Sequence, residues 1–319
     1  MTTENILTQE EGGEIEWLRG YRNSSKISVT ELAKNIGYSA TVTRRALNGN
    51  YTADMQSFCA KVREFRATIQ ARALTGQEVG FVHTQVALDV IAAANAARVD
   101  KKVIMVRGVS QIGKSTAIKE YAEANSASVV LVRMPTNPTA CKLGSRLCAA
   151  VGCSNPRGDE DAMQALKKRI TPNMLVIVDE FHQAFYAGVR GVRGAVEWLR
   201  ELKDETDCGL LLALTELPDV DLSGSRVKGM LEQLNQRGQT VRLASTPSKK
   251  DVRLIAEHYG LGEPSNDVWA IITKLGRENA FGKLMYRFKL AQRSAKANEC
   301  TLTWDYFIAE HLRLNNLEQ

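Results

Sequence analysis

The sequence has no apolar run long enough to cross a bilayer, and its first residues lack the basic-then-apolar layout of a signal peptide. We therefore expect a cytoplasmic protein that does not enter the membrane. Internal repeats and low-complexity tracts are also missing, so repeat architectures are not expected. These absences predict an ordinary globular protein.

Zinc and disulfide chemistry find little support in the sequence. The cysteines at positions 59, 141, 148, 153, 208 and 300 have no C-x-x-C spacing, and the histidines at 83, 182, 258 and 311 are scattered. We predict no zinc site. Free thiols in a reducing cytosol are expected, with Cys148 and Cys153 in and just after an apolar helix.

The charge of the chain is unevenly placed. Its 319 residues are 44% apolar and 24% charged, which is typical of a globular protein with two or three domains. The net charge is +6, and residues 19–75 hold ten basic side chains against three acidic ones. A localised basic surplus favours nucleic-acid binding, although many solvated helices are also basic.

The most specific motif is a phosphate-binding loop. It comprises Gly108, Val109, Ser110, Gln111, Ile112, Gly113, Lys114, Ser115 and Thr116. An apolar run at 103–106 precedes it and a helical segment at 116–125 follows, which is the context that G-x-x-x-x-G-K-[ST] requires. The glycines let backbone N–H groups face an anion, Lys114 would reach the β- and γ-phosphates, and Ser115 would ligate Mg²⁺. We predict that the chain binds ATP or GTP.

A second motif predicts that the bound nucleotide is hydrolysed. The apolar run at 174–178 is typical of a parallel strand buried on both faces, and Asp179 and Glu180 follow it directly. At the carboxyl end of such a strand, Asp179 would help to hold Mg²⁺ and Glu180 would polarise the attacking water. An acidic pair favours an ATPase, because GTPases usually orient water with Gln.

Strand and helix signals alternate through the middle of the chain. We predict strands at 103–107, 128–133, 174–179, 209–214 and 240–243 in an α/β fold with a parallel sheet covered by helices. The expected segments are a mobile acidic arm (1–18), a helical domain (19–75), a linker (76–83), a nucleotide-binding core (84–246) and a C-terminal helical domain (247–319).

The N-terminal helical domain contains a helix-turn-helix pattern at residues 28–49. Gly37 is placed at the turn, Ser39 caps the second helix, and Val42, Ala46 and Leu47 form its apolar face. The outer face then offers four side chains to DNA: Thr41, Thr43, Arg44 and Arg45. A small helical domain used for protein contacts is the alternative.

These features together resemble the AAA+ ATPases. Within them, the order of helix-turn-helix, core and helical end resembles the Mu B family of phage transposition proteins, whose broader relatives are TnsC and IstB. Three further segments resemble that family: 81–85 before the core, 209–215 as the strand that carries the first sensor, and 234–237 as the stretch with the arginine finger.

The resemblance implies that ATP lets the protein self-associate into helical filaments on double-stranded DNA. The filament would deliver target DNA to a DDE transposase and stimulate it, and hydrolysis would disassemble the filament. Arg237 is then the first candidate for the arginine finger and Arg226 the second, while Thr215 occupies the first sensor position. A second sensor arginine is not evident, since Lys283 and Arg287 are the basic residues near that position. These departures suggest slow hydrolysis.

Filament DNA would be held through its phosphates by basic side chains. We expect the strongest contacts from Arg190 and Arg193, in a Gly-rich segment that we interpret as a loop, and further contacts from Lys289 and Arg293. The basic run at 167–169 is another candidate, and a solvated face is the alternative for each cluster.

Two other functions remain open. A helicase loader or replication initiator shares the AAA+ core and the basic character. A repressor that uses its nucleotide site only as a switch would bind a defined operator with negligible turnover. Glu180 argues against the repressor, because a switch does not need a residue that polarises water.

Overall fold

The computed structural model describes residues 8–51, 54–74, 80–153, 157–186, 188–216 and 238–317. The chain divides into two compact units. One consists of the segment up to Glu78 together with Arg293–Cys300, and the other of Val79–Gln292 together with Thr301–Gln319. Across the ranges just given, no helix is both long and apolar enough to span a membrane.

Four helices form the N-terminal part of the first unit: α1 (Gln9–Ser25), α2 (Val29–Ile36), α3 (Ala40–Leu47) and α4 (Met55–Leu74). They enclose one hydrophobic cluster in which Leu18, Leu32, Phe58 and Val62 are fully buried. The cluster receives side chains from all four helices, so these helices need one another to bury their apolar faces.

The helix-turn-helix pattern is confirmed as a structural element. The Ser28 side chain caps α2 by accepting from the backbone N–H of Glu31, whose carboxylate accepts in return from the N–H of Ser28. Gly37 ends α2 with a φ of 76°, a left-handed conformation that suits glycine. The Ser39 hydroxyl then accepts from the N–H of Val42 and starts α3.

The start of the chain differs from the expected mobile arm. Helix α1 begins at Gln9 and is capped by Thr8, and its residues Ile15 and Leu18 are buried at 2% and 0% exposure. Ile15 and Leu18 are three residues apart and therefore lie on one face of α1. Burial of this apolar face packs α1 against the other helices of the domain. The helical domain therefore begins well before residue 19.

The second unit is built on a parallel sheet with the order β2-β3-β4-β1-β5. All four neighbouring strand pairs are parallel. The strands are β1 (Val103–Gly108), β2 (Val129–Arg133), β3 (Leu175–Asp179), β4 (Gly209–Thr215) and β5 (Gly238–Arg242). The helices that the structure describes before and between these strands are α5 (Gln85–Val99), α6 (Lys114–Ala124), α7 (Ala140–Ala150), α8 (Asp159–Lys167), α9 (Gln183–Tyr186) and α10 (Gly188–Thr206). The expected α/β architecture is confirmed, with strand positions within two residues of the prediction.

Each central strand contributes to two hydrophobic clusters, one on each face of the sheet. In β1, Ile104 and Val106 pack into one cluster and Val103 and Met105 into the other. This alternation follows from the two-residue period of a strand. Continuous apolar runs were therefore a reliable signal for strands covered on both sides.

Four helices follow β5: α11 (Lys249–His258), α12 (Asn266–Asn279), α13 (Gly282–Ala297) and α14 (Trp304–Leu317). They belong to the second unit, except for the end of α13 from Arg293 onward, which belongs to the first. Ile255, Leu284 and Phe307 belong to the same hydrophobic cluster as Ile104 of the sheet. The boundary expected at residue 246 therefore marks a change in secondary structure and not a separation between two cores.

Candidate functional site

The phosphate loop is a compact turn between β1 and α6. Gln111 and Gly113 both adopt left-handed backbone conformations, with φ values of 60° and 102°. Between them, Ile112 is fully buried and anchors the loop in the core. The chain thus leaves the sheet at Gly108, turns, and enters α6 at Lys114 with free N–H groups at the start of the helix, a geometry suited to an anion.

Lys114 is held against its own loop. Its Nζ donates to the carbonyl oxygens of Gly108 and Val109, each at 2.7 Å, and the residue is only 7% exposed. Burial lowers the pKa of the ammonium, and nearby carboxylates raise it in part, those of Asp179, Glu180 and Glu216. The Lys114 ammonium has lost most of its contact with water at this position. A bound polyanion would compensate for that loss.

The two predicted acidic residues follow β3 in a tight turn. Asp179 ends the strand, and Glu180 adopts a left-handed φ of 56° while its N–H donates to Asp179 Oδ1 at 2.8 Å. The next residue, Phe181, is fully buried, and its N–H donates to the carbonyl of Ala213 in β4 at 2.8 Å. The turn is thus fixed to the neighbouring strand.

The end of β4 lies between the loop and the acidic turn. Thr215 is in register with Gly108 of β1, and the N–H of Glu216 donates to the Gly108 carbonyl at 3.1 Å. Because β4 separates β3 from β1 in the sheet, its last residues face both motifs. The carboxyl ends of three strands therefore carry four of the predicted site residues to one edge of the sheet, namely Lys114, Asp179, Glu180 and Thr215.

His182 belongs to this group although the sequence analysis assigned it no role. Its Nε2 lies 3.3 Å from Glu180 Oε2, and its Nδ1 lies 3.4 Å from the backbone nitrogen of Thr215. Burial is the main cause that lowers the pKa of the imidazole, which favours a neutral ring beside the Glu180 carboxylate. Its position just after the acidic pair was the signal available in the sequence.

The donor set at this edge fits Mg²⁺. Ser115 follows Lys114 at the start of α6 and offers a hydroxyl oxygen, and Asp179 offers a carboxylate. The described part of the chain has no cluster of three or more His, Cys, Asp or Glu side chains that could hold a metal. Two oxygen donors from the protein would be enough for Mg²⁺, because this ion usually keeps substrate phosphates and water as its remaining ligands.

The basic residues near the second sensor position are engaged within the helical end. Lys283 forms an ion pair with Glu278 at 3.2 Å. Arg287 is 2% exposed, and its Nη2 lies 3.5 Å from Asn315 Oδ1 on α14. The burial of Arg287 between helices favours a structural role.

Some expectations concern residues outside the described part of the chain. Arg237, Arg226 and the proposed finger stretch 234–237 fall there, as does the first half of the linker at 76–83. For Arg190 the helical backbone is described but the side chain is not. Their assigned roles stay predictions.

Three of the four residues of α3 that were predicted to contact DNA lie on its outer, exposed face. Thr41, Arg44 and Arg45 are exposed. The prediction for Thr43 is wrong, because its side chain is fully buried and its hydroxyl donates to the carbonyl of Ser39 at 3.0 Å. The rotation of α3 against the other helices turns this position inward, so Thr43 supports the helix and does not face solvent.

The Gly-rich segment at 188–194 is helical, contrary to the expected loop. It forms the first turns of α10, where Arg193 is exposed and its Nε donates to Glu197 Oε1 at 2.8 Å. Helix formation here buries Ala195, Trp198 and Leu199 against the sheet, which outweighs the low helix propensity of glycine. Lys289 is exposed on α13, and so is Arg293.

A comparison with protein families identifies an AAA domain in the middle of the chain. A family model described as AAA domain matches residues 97–219, which extend from the end of α5 beyond the end of β4. In structure, the chain is similar to the RuvB Holliday junction branch migration motor of Thermotoga maritima. The TM-score is 0.47 at 12% identity, covering 72% of this chain and 69% of that chain.

Two curated relatives cover most of the chain. The Mu-like prophage FluMu DNA transposition protein B of Haemophilus influenzae is 24% identical over 271 residues, which are 81% of this chain and 90% of that protein. The ATP-dependent target DNA activator B of Escherichia phage Mu is 22% identical over 292 residues, 91% of each. The chain therefore contains an AAA domain in an α/β AAA+ fold, and the Mu-type transposition B proteins are among its homologues.

Proposed function

We propose that this protein is an ATP-dependent, DNA-binding ATPase that activates target DNA for transposition. The observation that carries the proposal is the convergence of Lys114, Asp179 and Glu180 at one edge of the sheet, where the carboxyl ends of its parallel strands lie. Homology to a protein named as an ATP-dependent target DNA activator gives that site its biological setting.

ATP binding follows from the chemistry of the loop. Backbone N–H groups at the start of α6 and the Lys114 ammonium would meet the β- and γ-phosphates. Ser115 and Asp179 would hold Mg²⁺, which when bound neutralises phosphate charge. Lys114 already lies at the mouth of the loop, so it would exchange its two carbonyl acceptors for phosphate oxygens.

Hydrolysis follows from Glu180. Its left-handed backbone sets the carboxylate beside the turn, and the side chain is about a quarter exposed, so water has access to it. The carboxylate would accept a proton from the attacking water as a general base. Thr215 at the end of β4 offers a hydroxyl that would help to orient that water.

Assembly on DNA would couple this chemistry to target choice. We propose that ATP-bound subunits form a helical filament on double-stranded DNA, recruit a DDE transposase, and leave the DNA after hydrolysis. Arg237 of one subunit would complete the site of its neighbour, so that hydrolysis depends on the polymer. Basic side chains at Arg44, Arg45, Arg193, Lys289 and Arg293 would contact phosphates without regard to sequence.

The decisive experiment is negative-stain electron microscopy of the protein with double-stranded DNA of mixed sequence. Samples would contain ATP, ADP or no nucleotide, and Glu180→Gln would serve as the variant that binds ATP without hydrolysing it. We expect filaments that coat DNA with ATP only, and persistent filaments for Glu180→Gln. Discrete particles at few positions would contradict the proposal and support a helicase loader or a repressor.

A further inference from the structure

We propose that His182 is a positioning residue that orients the Glu180 carboxylate and links it to the end of β4. The inference rests on the proposed ATPase function of this site. The His182 ring contacts the carboxylate of the proposed general base, Glu180.

His182 bridges two strand ends that are far apart in the sequence. Its Nε2 lies 3.3 Å from Glu180 Oε2 in the turn after β3. Its Nδ1 accepts from the N–H of Thr215, the last residue of β4, at 3.4 Å. The ring is 7% exposed, so neither contact competes freely with water. Both ring nitrogens are therefore committed to the site.

The Thr215 contact decides where the imidazole carries its proton. A backbone N–H is a fixed donor, so Nδ1 must be the acceptor and Nε2 must carry the hydrogen. The Nε2 hydrogen then lies beside the Glu180 carboxylate, whose Oε2 is 3.3 Å from the ring nitrogen, and favours one orientation of that carboxylate. The Gln183 amide also lies 3.3 Å from Nε2, but an amide turns by 180° at little cost and adapts to either tautomer.

The backbone around His182 cannot adjust easily. Phe181 and Ala184 flank it and are both fully buried in the cluster on this face of the sheet. The Phe181 N–H is bonded to Ala213 of β4. The backbone that carries the ring is thus held on both sides of His182, which is what a positioning residue requires.

The same strand end is also tied to the phosphate loop. The Gly108 carbonyl accepts from the N–H of Glu216 and from Lys114 Nζ, so the loop and the end of β4 share one acceptor. Thr215 and Glu216 are adjacent, and Thr215 in turn holds His182. When Lys114 turns to a phosphate, the Gly108 carbonyl loses one of its two donors. This change would be transmitted through the end of β4 and His182 to Glu180.

Glu180 depends on this contact for its orientation. Within the described residues, His182 is the side chain that lies within hydrogen-bond distance of its carboxylate. A carboxylate on a turn residue would otherwise sample several rotamers. Misplacing a catalytic group by about 1 Å costs on the order of 100-fold in rate.

The test is steady-state ATPase kinetics of His182→Ala and His182→Gln in the full chain with DNA. We expect His182→Ala to lower kcat about 10- to 100-fold, while KM for ATP changes by less than about threefold. His182→Gln keeps an N–H donor near the position of Nε2 and should recover most of kcat. The exposed His258→Ala on α11 is the matched control and should behave as wild type.

The outcomes separate this inference from the proposed function. If the wild type neither binds nor hydrolyses ATP, the proposed function itself fails. If the wild type is active and His182→Ala retains its kcat, only the positioning role is wrong. A His182→Ala variant that loses nucleotide affinity and melting temperature together, without rescue by Gln, would show a merely structural role and also overturn the inference.

Discussion

The backbone N–H of Phe281 donates to the carbonyl oxygen of Gln111 across 3.2 Å, which joins the phosphate loop to the start of α13. The next residue, Gly282, lies against the side chain of Gln111, and a Cβ there would overlap Gln111 Oε1 and Asn279 Oδ1. Both overlapping atoms are the ends of side chains, and Gln111 is exposed. The contact is therefore close but adaptable.

Gly282→Ala should leave the free energy of unfolding within about 1 kcal/mol of wild type. Gln111 would rotate away, and alanine would favour the first turn of α13. Chemical denaturation measures the change. A loss of several kcal/mol would show that Gln111 cannot move and that the loop and α13 are rigidly coupled.

Gly209→Ala should be far more costly, because its Cβ would overlap the backbone carbonyl of Ala97 in α5. Backbone cannot rotate aside, so α5 or β4 must shift, and we expect a loss of about 2–3 kcal/mol or more. Gly194→Ala is the control, since a Cβ there meets nothing within 4 Å. Inside α10 it should stabilise by about 0.5–1 kcal/mol. Equal stabilities of the two variants would contradict this packing.

Lys114→Met should weaken ATP binding by about 100-fold or more, because each charge-assisted hydrogen bond to phosphate contributes roughly 1.5–3 kcal/mol. The fold should survive. Burial lowers the pKa of Lys114, so removing its charge relieves a desolvation penalty, and the Gly108 carbonyl keeps Glu216 as a donor. Titration calorimetry and thermal melting check both parts. Unchanged affinity, or a strongly reduced melting temperature, would refute the assignment.

Arg44→Ala and Arg45→Ala should each lower DNA affinity and reduce the steepness of its salt dependence by about one unit. Both side chains are exposed on α3. Thr43→Val is the matched control on the same helix, because its buried side chain cannot reach DNA. Fluorescence anisotropy at several salt concentrations measures the effect. If Thr43→Val weakened DNA binding as much as the arginine variants without loss of stability, α3 would not be the contact surface.

Cys141 and Cys300 should react with a thiol reagent in the native protein, and Cys148 should not. The first two are exposed, whereas Cys148 is fully buried and burial raises its thiol pKa to about 11. A raised pKa keeps the thiol protonated at pH 8, and only the thiolate reacts. Mass spectrometry after timed labelling identifies the modified sites. Rapid labelling of Cys148 before Cys141 would contradict the packing of α7.

Local patterns were enough to predict the strands, the phosphate loop and the acidic turn. Buried parallel strands read as continuous apolar runs, and the loop needs glycine and lysine at fixed spacing, so both signals lie within a few residues. Side-chain orientation was less predictable. Thr43 faces inward because α3 is rotated by its neighbours, and the Gly-rich start of α10 is helical because its later residues pack on the sheet.

The sequence by itself determined that a phosphate loop and an acidic pair follow two buried strands in an α/β chain. Only the tertiary structure decided that His182 meets Thr215, 33 residues away, while its other ring nitrogen lies beside Glu180. The reason is the strand order: β4 inserts between β3 and β1, and a neighbour relation between strands depends on the packing of the whole sheet. No short segment of the chain encodes that relation.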